Sequence, residues 1–160
     1  VPETRFLIAL GSNQRHVRHG PPARVISAAL TALEQQGLTV LKYSATLSSR
    51  PVGPSNRAYA NAAAIISTGL RPDELLTLLK SIESRFGTRR GQPWSRRVLD
   101  LDIILWSEGA FSGDNPRLTI PHMMMRERAF VLQPAAEIAP KWRDPVTGLT
   151  IAQIASRKGL

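Results

Sequence analysis

Residues 72–87 read PDELLTLLKSIESRFG. Leu75, Leu76, Leu79, Ile82 and Phe86 recur at helical spacing and form one apolar stripe. Pro72 suits the first helical position, Asp73 and Glu74 complement the helix dipole, and Gly87 supplies the stop. Toward the C-terminus, an arginine-rich loop from Thr88 to Arg97 leads into VLDLDIILW, residues 98–106, which alternates as a strand. Toward the N-terminus, Tyr59 to Thr68 reads as a strand rich in Ala and Ile. The segment RPVGPSN before it, from Arg50 to Asn56, cannot be one, because two prolines and a glycine remove donors and favour turns. Further out, Leu38 to Leu47 reads as a strand. Val25, Ile26, Ala29, Leu30 and Leu33 follow helical spacing between Pro21-Pro22 and Gly37. Arg5 to Leu10 is a buried strand entering a turn at Gly11-Ser12-Asn13. Downstream come turns through Pro116, a helix over Met123 to Gln133 and a short closing helix over Thr150 to Arg157. Strand, helix, strand, strand, helix, strand over the first 106 residues predicts an α+β, ferredoxin-like sandwich, an antiparallel sheet with helices packed on one face.

The chain has 160 residues, 42% of them hydrophobic, which suits one domain over residues 1–160. A core can form at this length without disulfides or structural metal. Zero cysteines exclude thiolate metal sites and cysteine nucleophiles. No apolar run approaches the roughly 20 residues of a membrane span, and VPETRFLIALGSN lacks the pattern of a secretory signal. A cytoplasmic protein is expected. The net charge of +9 points to polyanionic partners. Seventeen of the 21 cations are Arg, whose planar fork grips phosphate with two hydrogen bonds.

Leu99-Asp100-Leu101-Asp102-Ile103 carries the sharpest chemical pattern. Alternation along a strand puts both aspartates on one face, about 6.6 Å apart along the chain, with the apolar residues facing a core. Paired carboxylates on a rigid element suit Mg²⁺, which keeps waters and shares phosphate oxygens. An acidic solvent-facing strand would show the same spacing. Here, however, Arg89, Arg90, Arg96 and Arg97 lie just upstream, with Trp94 among them. A metal-bound polyphosphate needs this mixture of carboxylates and guanidiniums. Tyr59 and Asn61 share a face beyond a loop stiffened by Pro51, Gly53 and Pro54. An aromatic ring beside an amide suits a planar heterocycle. Arg117, Arg126 and Arg128 flank Pro121-His122 and extend the set of phosphate-binding candidates, while Met123-Met124-Met125 reads as core filling. No second His or Cys stands near for zinc, and neither a P-loop nor a dinucleotide fingerprint occurs.

Taken in order, ALGSN, RPVGP, YANAA, LRPDELL, IESRFG, RRVLDLDIIL, RLTIPH and RERAFVLQPAAEIAP resemble the 6-hydroxymethyl-7,8-dihydropterin pyrophosphokinase family over nearly the whole chain. The resemblance implies a ferredoxin-like fold. It also implies transfer of the terminal pyrophosphoryl group of ATP to the pterin hydroxymethyl oxygen, leaving AMP, in folate biosynthesis. By the same resemblance, Asp100 and Asp102 ligate two Mg²⁺ ions, and Arg97, Arg89 and Arg90 are the candidates to reach the leaving phosphates, with the choice among them left open by the altered loop. Tyr59 and Phe130 sandwich the pterin, Asn61 reads its edge, and Ser49, Pro51, Val52 and Gly53 form the adjacent wall. Glu83, Trp94, Arg97, Ile103, Arg117, Thr119, His122 and Arg128 fall where the family contacts nucleotide or orders its loops.

The chain departs from the family pattern at Thr88, where arginine usually follows the glycine, at Ser95-Arg96 after Trp94, and at Met123 after the His. The expected partners are pterin and ATP, with no nucleic acid, no membrane and a monomeric state. Two competing readings follow from the same residues. One is a basic nucleic-acid-binding module, which predicts steeply salt-dependent oligonucleotide binding. The other is a paralogue that binds pterin or nucleotide without turnover.

Overall fold

The computed structural model describes residues 2–13, 18–49, 59–87 and 98–160, with Ser49 described by its backbone alone. Strand β1 is Thr4–Ser12, helix α1 Pro22–Gln35, β2 Thr39–Tyr43, β3 Leu47–Ser49, β4 Tyr59–Thr68, α2 Pro72–Phe86 and β5 Asp100–Trp106. They are followed by β6 Phe111–Asp114, β7 Arg117–Ile120, a 3₁₀ turn Met125–Glu127, α3 Ala129–Ile138 and α4 Ile151–Arg157. The main sheet is antiparallel in the order β2-β4-β1-β5, with β3 pairing β4 beyond the end of β2.

Period-two alternation gives this sheet two apolar faces. Phe6, Ile8 and Leu10 of β1, with Ala62, Ala64 and Ile66 of β4 and Leu101 and Ile103 of β5, face α1 and α2. The α2 stripe Leu75, Leu76, Leu79, Ile82 and Phe86 is buried there, each side chain contributing roughly 1.5–3 kcal/mol relative to exposure. Arg71 N–H donates to the Glu74 carboxylate at 2.9 Å, tying off one of the free donors at the start of α2. Helices α3 and α4 extend the expected architecture by covering part of the second face, over Leu7, Ala63 and Leu105.

Four local readings differ from the structure. Gly11 and Ser12 belong to β1 and do not turn. The strand foreseen over Leu38 to Leu47 breaks after Tyr43, because buried Ser44 donates its N–H to Ala63 O at 2.9 Å while its Oγ accepts from Ala63 N–H. Ala45 N–H then finds Glu137 Oε2 at 2.7 Å instead of a sheet partner. The helix foreseen over Met123 to Gln133 is split at Arg128, whose extended backbone (φ −104°, ψ 102°) separates the 3₁₀ turn from α3. A two-stranded hairpin, β6–β7, replaces the turns expected up to Pro116. Among the described residues, no helix is long and apolar enough to cross a membrane.

Candidate active site

Strand register brings one row of residues together across four strands. Leu47 pairs with Asn61, Asn61 with Gly11, and Gly11 with Asp100; one step along, Ala63, Ala9 and Asp102 form the next row. These residues lie on the second sheet face, so the carboxylates of β5 and the amide of β4 stand two strand spacings apart, about 10 Å. Between them lie only Gly11 and Ala9. The small residues leave a floor, and above it opens a cavity of about 970 Å³. Asp100 and Asp102 line it, together with Asn61, Tyr59 and Ser48 on one side and Arg128, Phe130 and Gln133 at the start of α3. The volume is at the upper end for small-molecule sites, as a heterocycle and a polyphosphate together require.

Both aromatics that line the cavity are incompletely covered by protein, Tyr59 at 37% and Phe130 at 48% exposure, so a ring stacked on them would remove apolar surface from water. The Arg128 guanidinium lies 5.6 Å from the Phe130 ring centroid, where the cation–π attraction supports it. His122 is held by backbone and ring: its backbone N–H donates to Ile104 O at 3.0 Å, and its ring Nδ1 accepts from Met124 N–H at 3.1 Å. With Nδ1 accepting, the neutral ring carries its proton on Nε2. Burial pushes the His122 pKa below its ordinary value, opposed by the Asp102 carboxylate and assisted by Arg128. Burial thus favours the neutral imidazole, whose Nε2–H is a donor.

The two aspartates are acceptor-only groups on one face of one strand, a donor set suited to an oxygen-loving cation that completes its shell with water and phosphate. Among the described residues, no cluster of three or more His, Cys, Asp or Glu side chains offers a full protein cage. The residues present therefore fit a magnesium ion shared with a substrate and do not fit a structural zinc.

The structure collects Asp100, Asp102, Tyr59, Asn61, Phe130 and Arg128 around the cavity. Glu83 is placed elsewhere. It is 1% exposed, on the α2 side of the sheet, where its carboxylate accepts from Leu101 N–H at 2.6 Å and from Lys80 Nζ at 3.3 Å. It braces the strand between the two aspartates from behind. The Ile103 side chain likewise enters the α1–α2 core. Arg117 and Thr119 sit exposed on β7, and Ser49 ends β3 opposite Tyr59. Of the methionines, Met125 alone is buried, while Met123 and Met124 face solvent. Pro51, Val52, Gly53, Arg89, Arg90, Trp94 and Arg97 lie outside the described residues. Gly11, Ser48 and Gln133 are cavity residues that the sequence reading did not assign. The pairing of Gly11 with Asn61, a cross-strand signal, identifies the first of them.

The chain matches the 7,8-dihydro-6-hydroxymethylpterin-pyrophosphokinase (HPPK) family over residues 7–140. It is 39% identical over 148 residues to the 2-amino-4-hydroxy-6-hydroxymethyldihydropteridine pyrophosphokinase of Synechocystis sp., covering 92% of this chain and 73% of that protein. The protein of the same name from Pseudomonas aeruginosa is 41% identical over 143 residues, covering 88% of this chain and 84% of the relative. The crystal structure of Plasmodium falciparum HPPK-DHPS with pteroate matches with a TM-score of 0.72 at 13% identity, over 98% of this chain and 42% of that one, a likeness of fold. With sequence matches across most of its length and a matching sheet architecture, the chain belongs to the 7,8-dihydro-6-hydroxymethylpterin-pyrophosphokinase family.

Proposed function

We propose that this protein transfers the β,γ-pyrophosphoryl group of ATP to the hydroxymethyl oxygen of 6-hydroxymethyl-7,8-dihydropterin, releasing AMP, as a step of folate biosynthesis. The observation that carries this reading is the row Asn61–Gly11–Asp100. It sets an amide able to read a heterocycle and a carboxylate able to take a cation at opposite ends of a side-chain-poor floor. Family membership and the enzyme names of the relatives support the same chemistry.

In this reading Tyr59 and Phe130 stack on the pterin and keep water from its ring, and Asn61 pairs with its donor and acceptor edge. Asp100 and Asp102 would hold Mg²⁺, two ions in our reading, which when bound would supply charge neutralisation for the triphosphate and make the attacking hydroxyl more acidic. Arg128 and the Nε2–H of His122 are the donors for phosphate oxygens beside the aspartates. The pterin oxygen bonds to the β-phosphorus as the bond from that phosphorus to the α-phosphate oxygen breaks, and the hydroxyl proton passes to solvent. Alignment and electrostatics supply the rate, with no covalent enzyme intermediate. Arg89, Arg90, Trp94 and Arg97 complete the phosphate side in this reading, as Pro51, Val52 and Gly53 complete the pterin side. We read the chain as one domain that acts as a cytoplasmic monomer.

Incubation with Mg²⁺, ATP and hydroxymethyldihydropterin should yield AMP. Formation of ADP in its place would refute pyrophosphoryl transfer, and pterin binding without product would identify a non-catalytic paralogue. Asp100→Asn and Asp102→Asn should each abolish turnover with an unchanged melting temperature; retained rates in both would remove the metal assignment. The net charge of +9 also motivates nucleic-acid binding. Salt-dependent oligonucleotide affinity with no AMP formation would favour that reading.

A further inference from the structure

The first turn of α3 carries Phe130 and starts at Arg128, whose carbonyl accepts from the Val131 and Leu132 N–H groups at 3.0 Å, but side-chain capping and the turn that follows add little to it. Arg128 gives the helix no side-chain cap, and Pro134 has no N–H to offer the Phe130 carbonyl four residues back. An external anchor stands just before it. Arg126 Nε donates to Asp144 Oδ2 at 2.6 Å and its Nη2 donates to Oδ1 at 2.9 Å, a bidentate pair with the Asp144 side chain fully buried. Asp144 is itself fixed. Oδ1 accepts from Val146 N–H at 2.9 Å and Oδ2 from Thr147 Oγ1 at 2.8 Å. Its backbone N–H donates to Leu149 O, and its carbonyl accepts from Gly148 N–H. The loop after α3 is thus a preformed receptor for one guanidinium. Met125, wholly buried in the second core, seats the adjoining residue.

We propose that Arg126 and Asp144 are positioning residues for the pterin side of the cavity: the clamp holds the Arg128–Phe130 wall where an aromatic ligand can stack, without touching that ligand. This role rests on the pterin reading of the site. Neither residue lines the cavity. A guanidinium–carboxylate fork specifies distance and plane together, which a single hydrogen bond or a point charge does not. Loosening it lets the wall shift. Displacement of a positioning group by about 1 Å is enough to cost up to roughly 100-fold in a well-aligned site.

Arg126→Met, Arg126→Lys and Asp144→Asn test the role. Dissociation constants for hydroxymethyldihydropterin, with Mg²⁺ and a nonhydrolysable ATP analogue present, are measured beside kcat and KM at a temperature where circular dichroism shows each variant folded. Arg126→Met should raise the pterin dissociation constant and KM about tenfold; kcat should fall by a smaller factor, through Arg128 on the same wall, because Asp100 and Asp102 stand on β5 and keep their places. Arg126→Lys should recover part of that loss, about threefold above wild type, since it keeps the charge and loses the fork. Folded variants with lower melting temperatures but wild-type pterin affinity and KM would overturn the role and leave the pair purely structural. If Asp144→Asn does not fold, the partly exposed Arg126 variants decide the matter alone. A wild-type protein that binds no pterin would overturn the site reading itself, an outcome separate from active wild type with indifferent variants.

Discussion

Gly11 offers the sharpest separation of cavity from fold. An ideal Cβ built on it lies 3.2 Å from Asn61 Oδ1, closer than an ordinary contact, so Gly11→Ala must push that amide by a few tenths of an ångström. The backbone itself raises no objection. Gly11 is not among the glycines with positive φ, and its strand pairs on both sides. Removing a strand glycine should even raise stability, by up to about 1 kcal/mol. The penalty falls on binding. A displaced amide makes poorer hydrogen bonds to the pterin edge, a loss of about 0.5–1.5 kcal/mol, or roughly two- to twelvefold in affinity. Gly11→Val adds two further carbons to the floor between Asn61 and Asp100 and should exceed tenfold, although valine suits a strand. Pterin fluorescence titration gives the affinity, and a thermal melt of the same samples gives the stability. Unchanged affinity in Gly11→Val, or a melting temperature lowered by several degrees in Gly11→Ala, would show that the glycine serves the chain and not the site.

Removing Glu83 should strand the buried Leu101 N–H. Glu83→Ala is expected to cost at least about 1–3 kcal/mol in urea denaturation, and Glu83→Gln, which keeps an acceptor oxygen, clearly less; equal losses would argue against the brace. Asp144 predicts an acid-dependent term. Burial alone would raise its carboxyl pKa, but the Arg126, Val146 and Thr147 hydrogen bonds outweigh that and hold it at about 2, against 3.8 ordinarily. A depressed folded pKa gives stability that is complete above the unfolded value, near pH 4, and is lost as pH falls through about 2; the shift corresponds to roughly 2 kcal/mol. The stability gap between wild type and Asp144→Asn should therefore narrow between pH 5 and pH 2, and parallel curves would refute the linkage.

Local periodicity carried most of the main sheet and its helices. The α2 stripe needs only its own residues to be recognised, and Pro72 and Gly87 mark its ends from within. Tyr59–Thr68 keeps its bounds as β4 even through a run of alanines, since small residues fit where helices pack closely on both sides. The misread segments are those decided at long range. Nothing near Ser44 in the chain announces that its partner is Ala63, nor that Ala45 answers to Glu137, 92 residues away. The β6–β7 hairpin pairs Gly113 and Asp114, poor strand formers, with Leu118 and Arg117, so pairing decides what propensity does not. The residues after Met123 keep an apolar spacing, but the Arg126–Asp144 clamp draws that segment away from a continuous helix.

The candidate site shows the same division between pattern and register. Asp100 and Asp102 were legible because alternation alone fixes their common face. By the same alternation Leu101 and Ile103 must face the other way, and α2 covers that side. A residue of the α2 apolar face such as Glu83 therefore reaches the backbone of β5 and not its carboxylates. The family motifs place these residues near one another along the chain and say nothing of the sheet between them. Along the second face, β1 runs from Gly11 through Ala9 to Leu7, β4 from Asn61 through Ala63 to Ile65, and β5 from Asp100 and Asp102 to Leu105. Each strand changes from polar or small to large and apolar. The apolar ends lie beneath α3 and α4, and the polar ends lie beyond their cover. Each gradient is visible in the sequence, but only pairing aligns the three. Once they are aligned, the cavity opens where the second core stops, because sealing two carboxylates and an amide under the helices would cost more in lost hydration than packing there returns.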